Sequence, residues 1–230
     1  MQTATAYVQN GQHLWLSPER CIFWEERKTL ILSDLHFGKT GHFRKAGIAV
    51  PQKVYKEDLQ RLVQLLQYFQ PTHLIVVGDM FHSSENLELE LFRKWRRDFP
   101  LLTIELVKGN HDILHDDWYK DSNLTVHNDN LDVQPFHFTH DITQTTTLAT
   151  GVANKSSISI SPNYIFSGHI HPGINVHGGG RQSLRFPCFY FGNSYAVLPA
   201  FSRFTGTYLI EPKEKESVFA IVENNIVRLQ

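Results

Sequence analysis

Five polar clusters, each closing an apolar run, carry the residues of this chain best suited to chemistry. They are Asp34-Leu35-His36, Gly78-Asp79, Gly109-Asn110-His111-Asp112, Thr139-His140 and Gly168-His169-Ile170-His171. Carboxylate, amide and imidazole are the donors that borderline divalent cations accept, and manganese, iron and zinc all fit such a set. A carboxylate has two oxygens and can bridge two ions, and Asp79, the middle one, is the natural bridge. Asp34 and His36 stand two apart, so an extended segment would point both the same way and let them share one ion. His169 and His171 have the same relation, and Asn110 and His140 complete the set with neutral donors. His137 and His127 lie close enough in the chain to compete with His140.

Two cations about 3.5–4 Å apart can orient a water, lower its pKa and clamp the attacking and leaving oxygens of a phosphoryl group. No serine or cysteine nucleophile is then needed. His111 directly follows a candidate ligand and should face the open side, there to steady the phosphoryl oxygens or protonate the leaving alkoxide. Asp112 is placed to hold the tautomer or charge of His111. A lone Asp-x-His or Gly-Asp is ordinary at a strand end. Gly-Asn-His-Asp is more telling, because a turn needs Gly-Asn but gains nothing from His-Asp. His111 and Asp112 also argue against a purely structural metal site in a non-catalytic binding module.

The elements that must position these residues are readable around them. Residues 6–16 and 21–25, broken by Ser17-Pro18, read as an opening hairpin. Thr29 to Ser33, His73 to Val77 and Leu102 to Val107 are apolar runs too short for helices, and each ends at one of the clusters. Lys53 to Phe69 has a helical face of Leu59, Leu62, Val63 and Leu66 and stops at Pro71. Leu87 to Arg97 is a second helix, ended before Pro100. This alternation predicts crossover units and a largely parallel sheet with the clusters at its carboxyl edge. Short β-like runs at 135–139, 163–167, 185–191, 205–210 and 217–221 then predict a second sheet packed on the first. The expected fold is α/β, a two-sheet sandwich flanked by helices, built as one domain over residues 1–230. Thr143 to Thr150 reads as an exposed polar loop.

Bulk composition narrows the function. The 230 residues hold 22 Lys plus Arg against 23 Asp plus Glu, a formal net charge of −1, so nucleic acid would have to meet a local basic patch. No apolar run reaches the roughly 18 residues that cross a bilayer, so no membrane partner is expected. The opening MQTATAYVQNGQHLW has neither the basic end nor the apolar stretch of a secretory signal, and the expected location is the cytoplasm. Two cysteines, Cys21 and Cys188, make no disulfide framework. The 13 histidines are many, and a metal site accounts for part of the excess.

In this order the five motifs resemble those of the calcineurin-like metallophosphoesterases over residues 34–171. The resemblance implies a double β-sandwich flanked by helices and a dinuclear manganese, iron or zinc centre. It places Asp34, His36, Asp79 and His171 on one metal and Asp79, Asn110, His140 and His169 on the other, with His111 as the catalytic histidine. A narrower set is similar to one bacterial subgroup: Ser33 to Lys39, Phe43 to Pro51, Gly78 to His82, Arg185 to Cys188, Leu198 to Phe201, and Phe204 to Gly206. That subgroup is the ligase-associated DNA damage response endonucleases. It implies phosphodiester cleavage in DNA and possible association with a DNA ligase and a helicase. Asp141 after His140 departs from the pattern, leaving the ligand set intact but changing the charge beside it.

Gly38-Lys39-Thr40 is not a phosphate-binding loop, because Ser33 stands where that motif needs its first glycine. Lys39, His42, Arg44 and Lys45 nevertheless follow the first ligands in a loop expected to rim the site. Of these, Arg44 is the candidate contact to substrate phosphate, and His82, three residues beyond Asp79, is a second. Gly178 to Arg181 and Arg185 suggest another rim or a surface hairpin. Phe186, Phe189, Tyr190 and Phe191 read as core.

Overall fold

Leu30 and Leu32 face one way from their strand and Ile31 the other, yet all three are fully buried. The central strands are therefore covered on both faces, which is why they read as continuous apolar runs. The computed structural model describes residues 4–39, 53–82, 87–143, 163–178 and 183–230. Arg44, with His42 and Lys45, lies outside the described residues, as do positions 144–150 of the expected polar loop and 179–181 of the expected rim.

The first sheet has seven strands in sequence order: β1 (Thr5–Gln9), β2 (Gln12–Ser17), β3 (Cys21–Trp24), β4 (Thr29–Leu32), β5 (His73–Val77), β6 (Thr103–Val107) and β7 (Thr125–His127). β1 to β4 pair antiparallel and β4 to β7 parallel. The opening segment is thus three strands rather than one hairpin, and the sheet is mixed rather than largely parallel. α1 (Lys53–Phe69) and α2 (Leu87–Asp98) form the crossovers, and a short α3 (Asp116–Asp121) precedes β7. α1 ends where Gln70 turns left-handed (φ 47) ahead of Pro71, whose ring cannot continue a helix.

The second sheet runs β14-β11-β12-β13-β10-β9-β8, with β15 and β16 attached through β12. Its strands are β8 (Asn130–Val133), β9 (Phe136–Thr139), β10 (Tyr164–Ser167), β11 (Pro172–His177), β12 (Ser183–Phe191), β13 (Tyr195–Val197), β14 (Tyr208–Leu209), β15 (Ser217–Val222) and β16 (Asn225–Arg228). It too is mixed, with β9, β10 and β13 parallel at its centre. Four of these nine strands (β8, β11, β13 and β16) had no separate signal, being short or interrupted by Gly and Pro.

Two apolar layers result. Leu30, Leu32, Leu74, Val76, Ile104 and Leu106 pack under Leu62, Leu65 and Leu66 of α1, Leu89, Phe92 and Trp95 of α2, and Trp118 and Tyr119 of α3. Ile31, Ile75, Val77 and Val107 face the second sheet and meet Phe136, Phe138, Phe166, Phe189, Phe191 and Phe219. Phe138 and Phe166 stack at 5.6 Å between ring centroids. Among the described residues all three helices lie on the outer face of the first sheet, so they flank the sandwich on that side.

Candidate metal centre

The loops after β4 and β5 are laced together and then tied to the second sheet. Asp34 N–H donates to the Gly78 carbonyl at 3.0 Å, and His36 N–H to that of Asp79 at 2.9 Å. Ser202 N–H reaches back to the Asp34 carbonyl at 3.1 Å. His169, beyond β10, donates its N–H to Asp34 Oδ2 at 3.2 Å. Ser167 Oγ donates to the His140 carbonyl at 2.8 Å and accepts Ile142 N–H, fixing the loop after β9.

The backbone here departs from extended geometry. Asp34, His36, Asp79, His169 and His171 all have φ between 50° and 67°. Left-handed conformations are uncommon outside glycine, and each costs on the order of 1 kcal/mol or more. Asp34 and His36 therefore share a side by local turning, not by the alternation of an extended strand. Glycine is required where the ligands press against neighbouring backbone. A Cβ on Gly78 would sit 1.9 Å from His140 Nδ1, and one on Gly109 would sit 2.1 Å from Asp79 Oδ1.

Six of the seven expected ligands gather into two groups of converging donor atoms: Asp34, His36 and His171, and Asp79, His140 and His169. Asn110 joins the second group through Oδ1, 3.3 Å from His140 Nε2. Asp79 falls in the second group. His137 and His127 are elsewhere, paired with Asp132 at 2.8 Å and Glu105 at 3.2 Å.

The donors fit cations better than they fit one another. Both ring nitrogens of His36 and Asp34 Oδ1 are buried with no hydrogen-bond partner. His171 Nε2 lies 3.1 Å from Asp34 Oδ1, but out of line for a hydrogen bond. Buried polar atoms left so cost about 1–3 kcal/mol each unless something else binds them. His140 Nδ1 lies 3.2 Å from the Val77 carbonyl, which can only accept, so Nδ1 carries hydrogen and Nε2 is turned to the site. That Nε2 faces His169 Nδ1 at 3.2 Å and Asp79 Oδ2 at 3.5 Å. Two facing ring nitrogens need a proton or a cation between them.

The electrostatics agree. Burial drops His36 to about 3, keeping its imidazole neutral and ready to ligate. Burial works against the Asp79 carboxylate, but the His140 hydrogen bond and charge, with His111 N–H, outweigh it and hold Asp79 at about 2. Burial likewise opposes a charge on His140, yet Asp79 and Asp34 raise it to about 9.

His111 stands at the open side, 43% exposed, with Nε2 4.0 Å from Asp79 Oδ2. Its ring packs against His82 at 4.3 Å, and both lie 5.5 Å from the His36 ring. Asp112 does not support His111. Its two oxygens accept backbone N–H groups of Phe81 (2.8 Å), Gly109 (2.9 Å) and Met80 (3.3 Å). Buried beneath the loops, it has a carboxyl raised by burial to about 7. It acts as a brace between the Asp79 and Asn110 loops.

Further bracing comes from residues that carried no motif. Arg20 donates to the carbonyls of Ala200 (3.2 Å) and Ser202 (2.9 Å), and Arg61 donates to that of Phe201 while pairing with Asp58 at 3.1 Å. These arginines hold the 200–202 segment whose N–H groups grip Ser33 and Asp34. An Asp-x-x-Arg pair, Asp58 and Arg61, beside the apolar face of α1 was the available signal.

A family model described as calcineurin-like phosphoesterase matches residues 27–173, more than half of the chain. No curated protein matches the sequence. Among solved structures, the crystal structure of Pseudomonas putida nuclease MPE is similar at 26% identity and a TM-score of 0.78, covering 99% of this chain and 100% of that one.

Proposed function

Because the chain belongs to the calcineurin-like phosphoesterases, which are metal-dependent hydrolases, we propose that it cleaves phosphodiester bonds in DNA as a repair endonuclease. The observation that carries this reading is the pair of converging donor groups, Asp34, His36 and His171 beside Asp79, His140 and His169. The likeness to a nuclease over nearly the whole chain supports the DNA substrate. In this reading the cofactors are two divalent ions, with manganese favoured over iron or zinc. When bound, they supply Lewis acidity toward the phosphoryl oxygens and lower the pKa of the attacking water.

The chain's own residues do the rest. Asp34, His36 and His171 would hold one ion, and Asp79, Asn110, His140 and His169 would hold the other. His111, on the open side, donates to the phosphoryl oxygens and passes a proton to the leaving alkoxide. His82, packed against it, keeps that ring aimed and lines the way in. By the same reading the protein works in the cytoplasm beside a DNA ligase and a helicase.

The test is incubation with manganese and single- or double-stranded DNA. Cleavage should appear and should vanish in Asp79→Ala; cleavage no greater than that of the variant sinks the reading. The near-balanced charge favours a second reading, a phosphatase or phosphodiesterase for small molecules or phosphoproteins. Predominant turnover of chromogenic monoesters over DNA would decide for it.

A further inference from the structure

One basic side chain outside the metal groups sits on the backbone that carries them. β11 and β12 pair with Gly173 opposite Pro187 and Asn175 opposite Arg185. Arg185 does not project straight from its own position but lies over Gly173. A Cβ on that glycine would meet Arg185 Cγ at 3.3 Å and Thr207 Oγ1 at 2.7 Å. Two residues of strand, about 7 Å, separate Gly173 from His171. A single peptide unit bonds to the arginine on one side and to the backbone of His171 on the other. The Thr207 carbonyl accepts Arg185 Nη1 at 3.4 Å, and the next N–H, of Tyr208, donates to the His171 carbonyl at 2.9 Å.

Among the described residues Arg185 pairs with no carboxylate, which is true of other arginines as well; what sets it apart is its place over Gly173, two residues beyond His171. Its residue is exposed. A guanidinium is always charged, and its planar fork matches phosphate oxygens. A long hydrogen bond to one carbonyl leaves most of that capacity unused.

We propose that Arg185 binds a phosphate flanking the scissile one, so that the site selects a polynucleotide over an isolated phosphoester. This rests on the nuclease reading and names the feature that would give it a preference for a polymer. The bound phosphate stays intact and only its counterions are displaced. Arg185 is a specificity residue and takes no part in bond breaking.

The experiment uses the full chain loaded with manganese and compares wild type, Arg185→Gln and Arg185→Lys. Two substrates are followed: a single-stranded oligonucleotide between 50 and 200 mM salt, and bis(p-nitrophenyl) phosphate, which has no flanking phosphate. Arg185→Gln should raise KM for the oligonucleotide roughly tenfold with little change in kcat. It should flatten the slope of log KM against log salt by about 0.7, the share of one phosphate on a single strand. Arg185→Lys should retain most of the slope, and the small diester should be hydrolysed equally by all three. Equal loss on both substrates would assign Arg185 a structural part and overturn the proposal, as would an unchanged KM and slope in Arg185→Gln. If wild type hydrolyses the small diester but no oligonucleotide, the nuclease reading falls and this one falls with it.

Discussion

Asp34 Oδ2 accepts the backbone N–H of His169 at 3.2 Å, bonding a carboxylate at the end of the first sheet to the main chain of the second. The two donor groups are thus completed only when the sheets are docked, since Asp34, His36 and Asp79 come from one and His140, His169 and His171 from the other. Cation binding should therefore add to the docking that the apolar layer between the sheets already provides.

Ligands that bind only the folded state add RT ln(1 + [L]/Kd) to its stability. Manganese at a hundred times its dissociation constant should contribute about 2.7 kcal/mol per independent site. Thermal unfolding of chelator-stripped protein, followed by readdition of the metal, checks this. An unchanged melting temperature would mean that the docked sheets do not create the site.

Gly78 has φ 83, and any Cβ there would overlap His140 Nδ1. Gly78→Ala should displace the His140 ring, lower metal content and reduce phosphodiester hydrolysis at least a hundredfold. Elemental analysis beside the rate separates lost metal from lost chemistry.

His111 and Asp112 are neighbours with different work, and their alanine variants should part company. His111→Ala should retain metal and melting temperature but turn over roughly 10²–10⁴ times more slowly. Asp112→Ala strips acceptors from the N–H groups of Met80, Phe81 and Gly109 and should cost about 3 kcal/mol of stability. Denaturant unfolding and steady-state kinetics on both proteins read the contrast.

Phe166 is fully buried between the sheets, with Phe136, Phe138, Tyr164 and Phe191 rings within 6.5 Å of its own. Phe166→Ala should destabilise the protein by about 3–5 kcal/mol. Urea unfolding should show the loss without a change in slope.

The site was more legible than the sheets that build it. Asp and Asn are ordinary in a turn, but the histidines beside them at the ends of apolar runs stand out because a turn has no use for imidazole. β4 and β5 were visible because both their faces are buried and the apolar runs are nearly unbroken, and β6 because Ile104, Leu106 and Val107 outweigh Glu105 in its middle. β7, β8 and β13 were not, being only three or four residues long, with exposed positions in β7 and β8 that look like loop. The extended geometry expected at Asp34 and His36 failed because left-handed φ values leave no periodic trace. Asp112 was misread for a related reason. An acid beside a working histidine suggests a tautomer clamp, and only the fold reveals three backbone amides competing for its oxygens.

Anomalous diffraction from crystals grown with manganese tests the account at its centre. Two peaks are predicted, one among Asp34, His36 and His171 and the other among Asp79, Asn110, His140 and His169. A single peak, or manganese bound anywhere else while the enzyme remains active, would contradict it.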